Sequence, residues 1–143
     1  MGRHELKTTP ETVHWGYWDA SLPPVLRVGS GDEVTVQTLS GNPAYLPADR
    51  RRVPAALADI FARVSPGLGP HILTGPIHVE GAEPGDVLQI DVLDIALSQD
   101  WGYTLIAPLK GTLPEDFPRP WHVILDLDLD RKMLRWPPGN TPM

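Results

Sequence analysis

Apolar and polar positions alternate in two short stretches that begin in the same way. In VGSGDEVTVQTL, a Gly31-Asp32 turn signal precedes residues 33–37, so Val34 and Val36 share one face of a strand and Thr35 and Gln37 the other. In GAEPGDVLQIDVL the device returns, with Leu88, Ile90 and Val92 on one face and Gln89 and Asp91 opposite. The match is short: two turns using the same Gly-Asp chemistry account for it as well as two related β units do. A third alternation, WHVILDLDLDRKML, sets Leu125, Leu127 and Leu129 against Asp126, Asp128 and Asp130. Between the first two stretches the period changes. Leu57, Ile60, Phe61 and Val64 recur on one helical face, Pro54 suits a first helical position, and Pro66-Gly67 ends the run. This predicts a helix over 54–64. Pro23-Pro24 excludes helix from VHWGYWDASLPPVLRV and favours an extended chain leading into a strand. The expected architecture is mainly β, a sandwich- or barrel-like single domain over 1–143, with one short amphipathic helix lidding or plugging its core. The polar N-terminus, with His4, reads as mobile.

Composition narrows the classes. With 143 residues, 41% hydrophobic and 21% charged, the chain is globular and long enough for a substantial core. Seventeen prolines and thirteen glycines, scattered without a repeat, imply many turns and short strands. A formal net charge of -6 leaves no footprint for nucleic acid. The basic run Arg50-Arg51-Arg52, between Asp49 and Pro54, reads as a solvated loop or the approach to the helix. There is no cysteine, which removes disulfides, thiolate metal sites and cysteine nucleophiles, and is compatible with a reducing compartment. The N-terminal MGRHELKTTPETVHW has no apolar signal core, and no segment reaches membrane-spanning length. A cytoplasmic protein without membrane partners is expected.

Several chemistries fail on spacing. The aspartates from Asp126 onward begin like a calcium loop, but Arg131 and Pro137 stand where its glycine and bidentate glutamate belong. Ser21 and Ser40 sit in turn contexts and in no nucleophile elbow. VGSGDEV lacks the lysine and the helix of a phosphate loop. Of the five histidines, His78 and His122 fall in strands. His14, beside Trp15-Gly16, and His71, after Pro70, lie at irregular positions, where sites tend to be built. With Asp19 and Asp100 they could give imidazole and carboxylate ligands to a divalent metal such as zinc. Ordinary hydrogen-bonded loop residues are the other reading. For HWGYWDASLPP the competing reading is an aromatic packing corner of Trp15, Tyr17 and Trp18.

VHWGYWDASLPPVLRVGSGDEVTVQTLSG, HILTGPIHVEGAEPGDVLQIDVLDI and QDWGYTLIAPLKGTLPEDF resemble, in this order, consecutive blocks of the acetamidase/formamidase family, from about Thr12 to Leu134. The resemblance implies hydrolysis of small linear amides to ammonia and a carboxylate, a mostly β architecture, and metal-assisted catalysis. It implies catalytic roles for His71, in HILTGP, and for Asp100. Thr74, Trp101 and Tyr103 would contact substrate, and His71 would join His14 and Asp19 as metal ligands. His71, Asp100 and Trp101 are expected to share one pocket wall. Family members are longer, and their second half carries an acidic, histidine-bearing block with no counterpart here. The chain is therefore expected to act as a partial chain or subunit, as a homo-oligomer or with a second chain that carries this block. Strand 122–130 is the edge expected to recruit a partner. The competing class is a non-catalytic binding or assembly module that keeps the fold.

Overall fold

The computed structural model describes residues 1–136 and 139–142. The chain, read from sequence as one domain, is organised as two compact units: residues 1–43 with 54–93, and residues 44–53 with the chain from Asp94 onward.

The first unit contains strands β1 (Arg3–Leu6), β2 (Val13–Trp15), β3 (Leu26–Val28) and β4 (Glu33–Val36), helix α1 (Ala55–Arg63), and strands β5 (Ile72–Thr74) and β6 (Ile77–Val79). They form three two-stranded sheets: β1 with β4 and β3 with β6, both parallel, and β2 with β5, antiparallel. The expected helix is present. Pro54 is its N-cap rather than its first turn, and the chain returns to extended geometry at Val64. Leu57 and Ile60, one turn apart, are wholly buried, and Phe61 lies 5.9 Å from the Trp15 ring between centroids. Arg63 pairs with Asp59 one turn back and with Glu11. Leu6, Thr8, Trp15 and Val28 are buried with them.

The N-terminus departs from expectation. His4 belongs to β1, whose ladder runs in register from Arg3↔Glu33 to Leu6↔Val36, and its Nε2 meets the Asp32 carboxylate at 3.0 Å. Local pattern could not show this, because the mate lies about thirty residues along the chain.

The second unit is one antiparallel sheet of β7 (Trp101–Ile106), β8 (Trp121–Asp128), β9 (Met133–Trp136) and β10 (Gly139–Pro142), in the order β10-β9-β8-β7. The alternation that predicted β8 is reproduced. Leu125 and Leu127 are half-buried and Asp126 and Asp128 exposed, while Leu129 and Asp130 fall in the turn that follows. β8 pairs with β7 along residues 121–126 and with β9 along 126–128, so it is interior only at its C-terminal end. Residues 122–125 of the expected edge have no ladder partner on their second side among the described residues. Trp101, 1% exposed, is the buried anchor of this unit.

The architecture is thus mainly β with one helix, in small sheets; no closed barrel forms among the described residues. No helix among them is long and apolar enough to cross a membrane. The second Gly-Asp stretch gives the sharpest contrast with the sequence pattern: residues 87–98 carry no assigned strand.

Candidate functional site

The loop after β2 and the loop before β5 are held together by backbone. The Gly16 amide donates to the His71 carbonyl at 2.8 Å, and a Cβ on either Gly16 or Gly69 would collide with the backbone of the other. The β2–β5 ladder places His14 opposite Leu73 and Val13 opposite Thr74. Beside this ladder is an open concavity of about 580 Å³, lined by His14, Trp18, Asp19, Thr38, Ile72 and Thr74 among others.

Its polar groups have defined states. His14 Nδ1 lies 3.3 Å from the Gly75 carbonyl; a carbonyl only accepts, so Nδ1 carries the proton and Nε2 of the neutral ring keeps a lone pair. The Asp19 carboxylate accepts from the Ser21 hydroxyl at 2.7 Å and the Ser21 amide at 2.8 Å. These donors, the hydroxyl foremost, hold its carboxyl below the usual carboxylate range. Thr8 donates its hydroxyl proton to the Gln37 carbonyl. The Thr74 hydroxyl, 3.1 Å from Thr8, therefore gives its own proton to Thr8, and its lone pairs remain as acceptors. Buried Thr8, which fixes this state, has no distinguishing signal in the sequence.

His71 does not line this concavity; its side chain is exposed and its carbonyl is the part in use. Among the described residues no group of three His, Asp or Glu side chains is placed to hold a metal ion, so His14, Asp19 and His71 do not fit as a ligand set.

Asp100, Trp101 and Tyr103 lie in the second unit, at the start of β7. Arg52 organises them. Its guanidinium donates to the Asp100 carboxylate at 3.2 Å, to the Asp100 carbonyl at 2.9 Å and to the Asp126 carboxylate at 2.8 Å. The Trp101 indole N–H donates to the Arg52 carbonyl at 2.9 Å. The basic run is thus a short 3₁₀ turn, capped by Asp49, whose last arginine is a structural cross-link rather than a solvated charge. Asp100 is exposed but already paired, and Trp101 is a core residue whose indole offers no open surface. Tyr103 stands 5.8 Å from the Tyr45 ring, which is 5.3 Å from that of His122. Burial, with a smaller contribution from Tyr45, raises the Tyr103 phenol above its ordinary value.

Comparison with known proteins gives a consistent picture. The acetamidase/formamidase family pattern matches residues 3–133. A formamidase from Methylophilus methylotrophus is 30% identical over 114 residues, 76% of this chain and 26% of that protein. An acetamidase from Mycolicibacterium smegmatis is 37% identical over 81 residues, 48% of this chain and 20% of that protein. The crystal structure of an acetamidase from Bacillus halodurans superposes over 97% of this chain and 42% of its own, with a TM-score of 0.62 at 22% identity. The chain thus spans about a quarter of the length of the curated formamidase it matches.

Proposed function

From the premise that this chain belongs to the acetamidase/formamidase family, we propose that it takes part in hydrolysing the C–N bond of small linear amides such as formamide and acetamide, in the cytoplasm. It would do so as part of an assembly, with a second copy or a second chain. The observation that supports the reading is the convergence of His14, Asp19 and Thr74 on one concavity within the family-matched region.

Amides resist attack because the nitrogen lone pair is delocalised, so a site must orient the carbonyl, activate water and protonate the departing nitrogen. The Thr74 oxygen, with its proton committed to Thr8, is an acceptor for an amide N–H. The His14 Nε2 lone pair can accept a proton from water, and Asp19, kept ionised by its Ser21 donors, places a negative charge on the same concavity. Ionised Asp19 is not the acid that protonates nitrogen; the imidazolium of His14 can return that proton. His71 is an exposed second histidine, and Asp100 is positioned by Arg52, with Trp101 fixing the arginine's backbone and Tyr103 alongside. A divalent ion, zinc included, finds two donors on the concavity in His14 and Asp19 and needs further ones; no step here depends on it.

The test is ammonia release from formamide and acetamide by the purified chain, with and without added zinc. Activity that falls at least tenfold in His14→Ala and Asp19→Asn, and does not fall in a Leu68→Ala control, supports the reading. Activity lost in His71→Ala but kept in His14→Ala moves the chemistry off the concavity. Acetamide binding without turnover points instead to a binding module that keeps the family fold.

A further inference from the structure

After the Asp86 turn, residues 87–93 (VLQIDVL) carry no assigned strand, and no backbone hydrogen bond joins them to any described residue. Their apolar side chains are bare: Val87 is 95% exposed, Leu88 60%, Ile90 75%, Val92 72% and Leu93 75%. A segment with strand-like alternation, unpaired backbone groups and uncovered apolar side chains is a template for pairing with another chain.

The sequence indicates which one. Read in either direction from Ile90, the order is the same: apolar Val87 and Leu88, polar Gln89, apolar Ile90, polar Asp91, apolar Val92 and Leu93. We infer that this segment pairs with the same segment of a second copy, antiparallel, about a two-fold axis through Ile90. In that register Val87 meets Leu93, Leu88 meets Val92, Ile90 meets Ile90, and Gln89 meets Asp91, a carboxamide donor facing a carboxylate. Gln89 Nε2 already bonds the Asp91 carboxylate within the chain at 3.0 Å, so the exchange needs no new chemistry.

Other registers lose this match. Centring on Asp91 sets Asp91 against itself and Gln89 against Leu93; centring on Gln89 sets Val87 against Asp91. A parallel in-register pair stacks Asp91 on Asp91, which is unfavourable. A one-residue slip opposes Ile90 to a polar residue and turns every side chain to the other face. At each end of the favoured ladder Asp86 faces Asp94, and this like charge limits it. The interface is isologous, as two-fold dimers require. A two-stranded ribbon of this length is smaller than a standard interface, so a dissociation constant of about micromolar is expected.

This inference gives the assembly part of the preceding proposal a place and a register, and is independent of its amide chemistry. Sedimentation equilibrium of the purified chain, from low micromolar concentration upward, tests it with three variants. Ile90→Lys, which sets like charges on the axis, is expected to leave monomer throughout, with an unchanged circular dichroism spectrum. Gln89→Lys, which opposes a cation to Asp91 twice per dimer, is expected to tighten association about two- to thirtyfold, and Gln89→Glu to weaken it by a similar factor. A wild-type chain that stays monomeric at all concentrations overturns both this inference and the homo-oligomer. Dimers that survive Ile90→Lys overturn this segment and leave assembly through another surface. Weakening by Gln89→Lys, or open-ended growth, overturns the antiparallel two-fold register.

Discussion

Two turns in this protein are built alike and lead to different ends. In Gly29-Ser30-Gly31-Asp32 the first amide donates to the Asp32 carboxylate at 2.9 Å, and the Asp32 amide returns to the Gly29 carbonyl at 3.2 Å. In Glu83-Pro84-Gly85-Asp86 the corresponding distances are 2.9 Å and 3.0 Å. The third residue is in both cases a glycine at positive φ, +82° and +107°, where other residues are strained. Both turns lead into an alternating apolar-polar stretch. The first, β4, zips onto β1; the second forms no strand and has no backbone partner among the described residues. Turn chemistry and alternation therefore specify where a strand starts and which residues share a face, but the mate is specified elsewhere. For β4 it is specified by Gly2 and His4, which reach Asp32 at the N-terminal end of β1.

The contrast predicts unequal responses to equivalent truncations. Leu57→Ala, in the buried face of α1, is expected to cost about 2–5 kcal/mol in urea unfolding, because it leaves a cavity in the core of the first unit. Leu88→Ala, in the bare alternating segment, is expected to lie within about 0.5 kcal/mol at dilutions where the chain is monomeric. A Leu88→Ala cost comparable with that of Leu57→Ala would show that the second stretch is covered after all.

Amide hydrogen exchange sharpens the same point without mutation. The paired amides of β4 are expected to be protected, and those of residues 87–93 to exchange at nearly intrinsic rates in dilute solution, slowing as concentration rises. Protection of Ile90 that does not depend on concentration would end the comparison.

What the sequence revealed follows the same division. Helix α1, β4 and β8 were legible because their signals are local: a period, a proline or glycine boundary, and an apolar face. Strand β1 was not, since RHEL has no alternation of apolar residues and forms by pairing at long range. Neither was the pairing of the C-terminal end of β8 with β9, nor the ion pair by which Arg52 neutralises Asp126. At the candidate site, Asp19 stands in a loop as its context suggested, whereas His14, read as an irregular position, is the middle residue of β2 and pairs with Leu73. The proton chain from Thr74 through Thr8 to Gln37 joins residues from three separate segments, and only the fold reveals it.

A smaller effect concerns the two turn aspartates. Backbone amides of Gly2 and Gly29, and then the His4 ring, hold the Asp32 carboxyl far below the usual carboxylate range. A carboxyl depressed in the folded state stabilises the fold fully above its unfolded pKa, about 3.9, and loses that contribution as pH falls toward the folded value. Stability is therefore expected to decline in acid below about pH 4, and Asp32→Asn to lower stability at neutral pH while flattening that decline. Asp86→Asn, which disturbs a turn with no paired strand behind it, is expected to change thermal unfolding less. Equal effects of the two substitutions would mean that Asp32 acts only within its own turn, and not as the clasp between β1 and β4.

The smallest effect expected is at the first rung of the β1–β4 ladder, beside the Asp32 clasp. Arg3 and Glu33 are direct cross-strand partners, with Arg3 Nε 3.0 Å from the Glu33 carboxylate. The Arg3 side chain is 85% exposed, so water and salt screen the pair and holding it costs side-chain entropy. Arg3→Ala is accordingly expected to destabilise the chain by less than about 1 kcal/mol, and the difference to vanish in about 1 M salt, where screening acts within a few ångströms. Denaturant unfolding at low and high salt reads this directly. A loss that is larger, and that persists in salt, would assign the pairing of β4 to its edge charge rather than to the Asp32 clasp. The charge placed opposite Asp91 by Gln89→Lys would then be expected to do more for the second stretch than the small increment a cross-strand ion pair ordinarily brings.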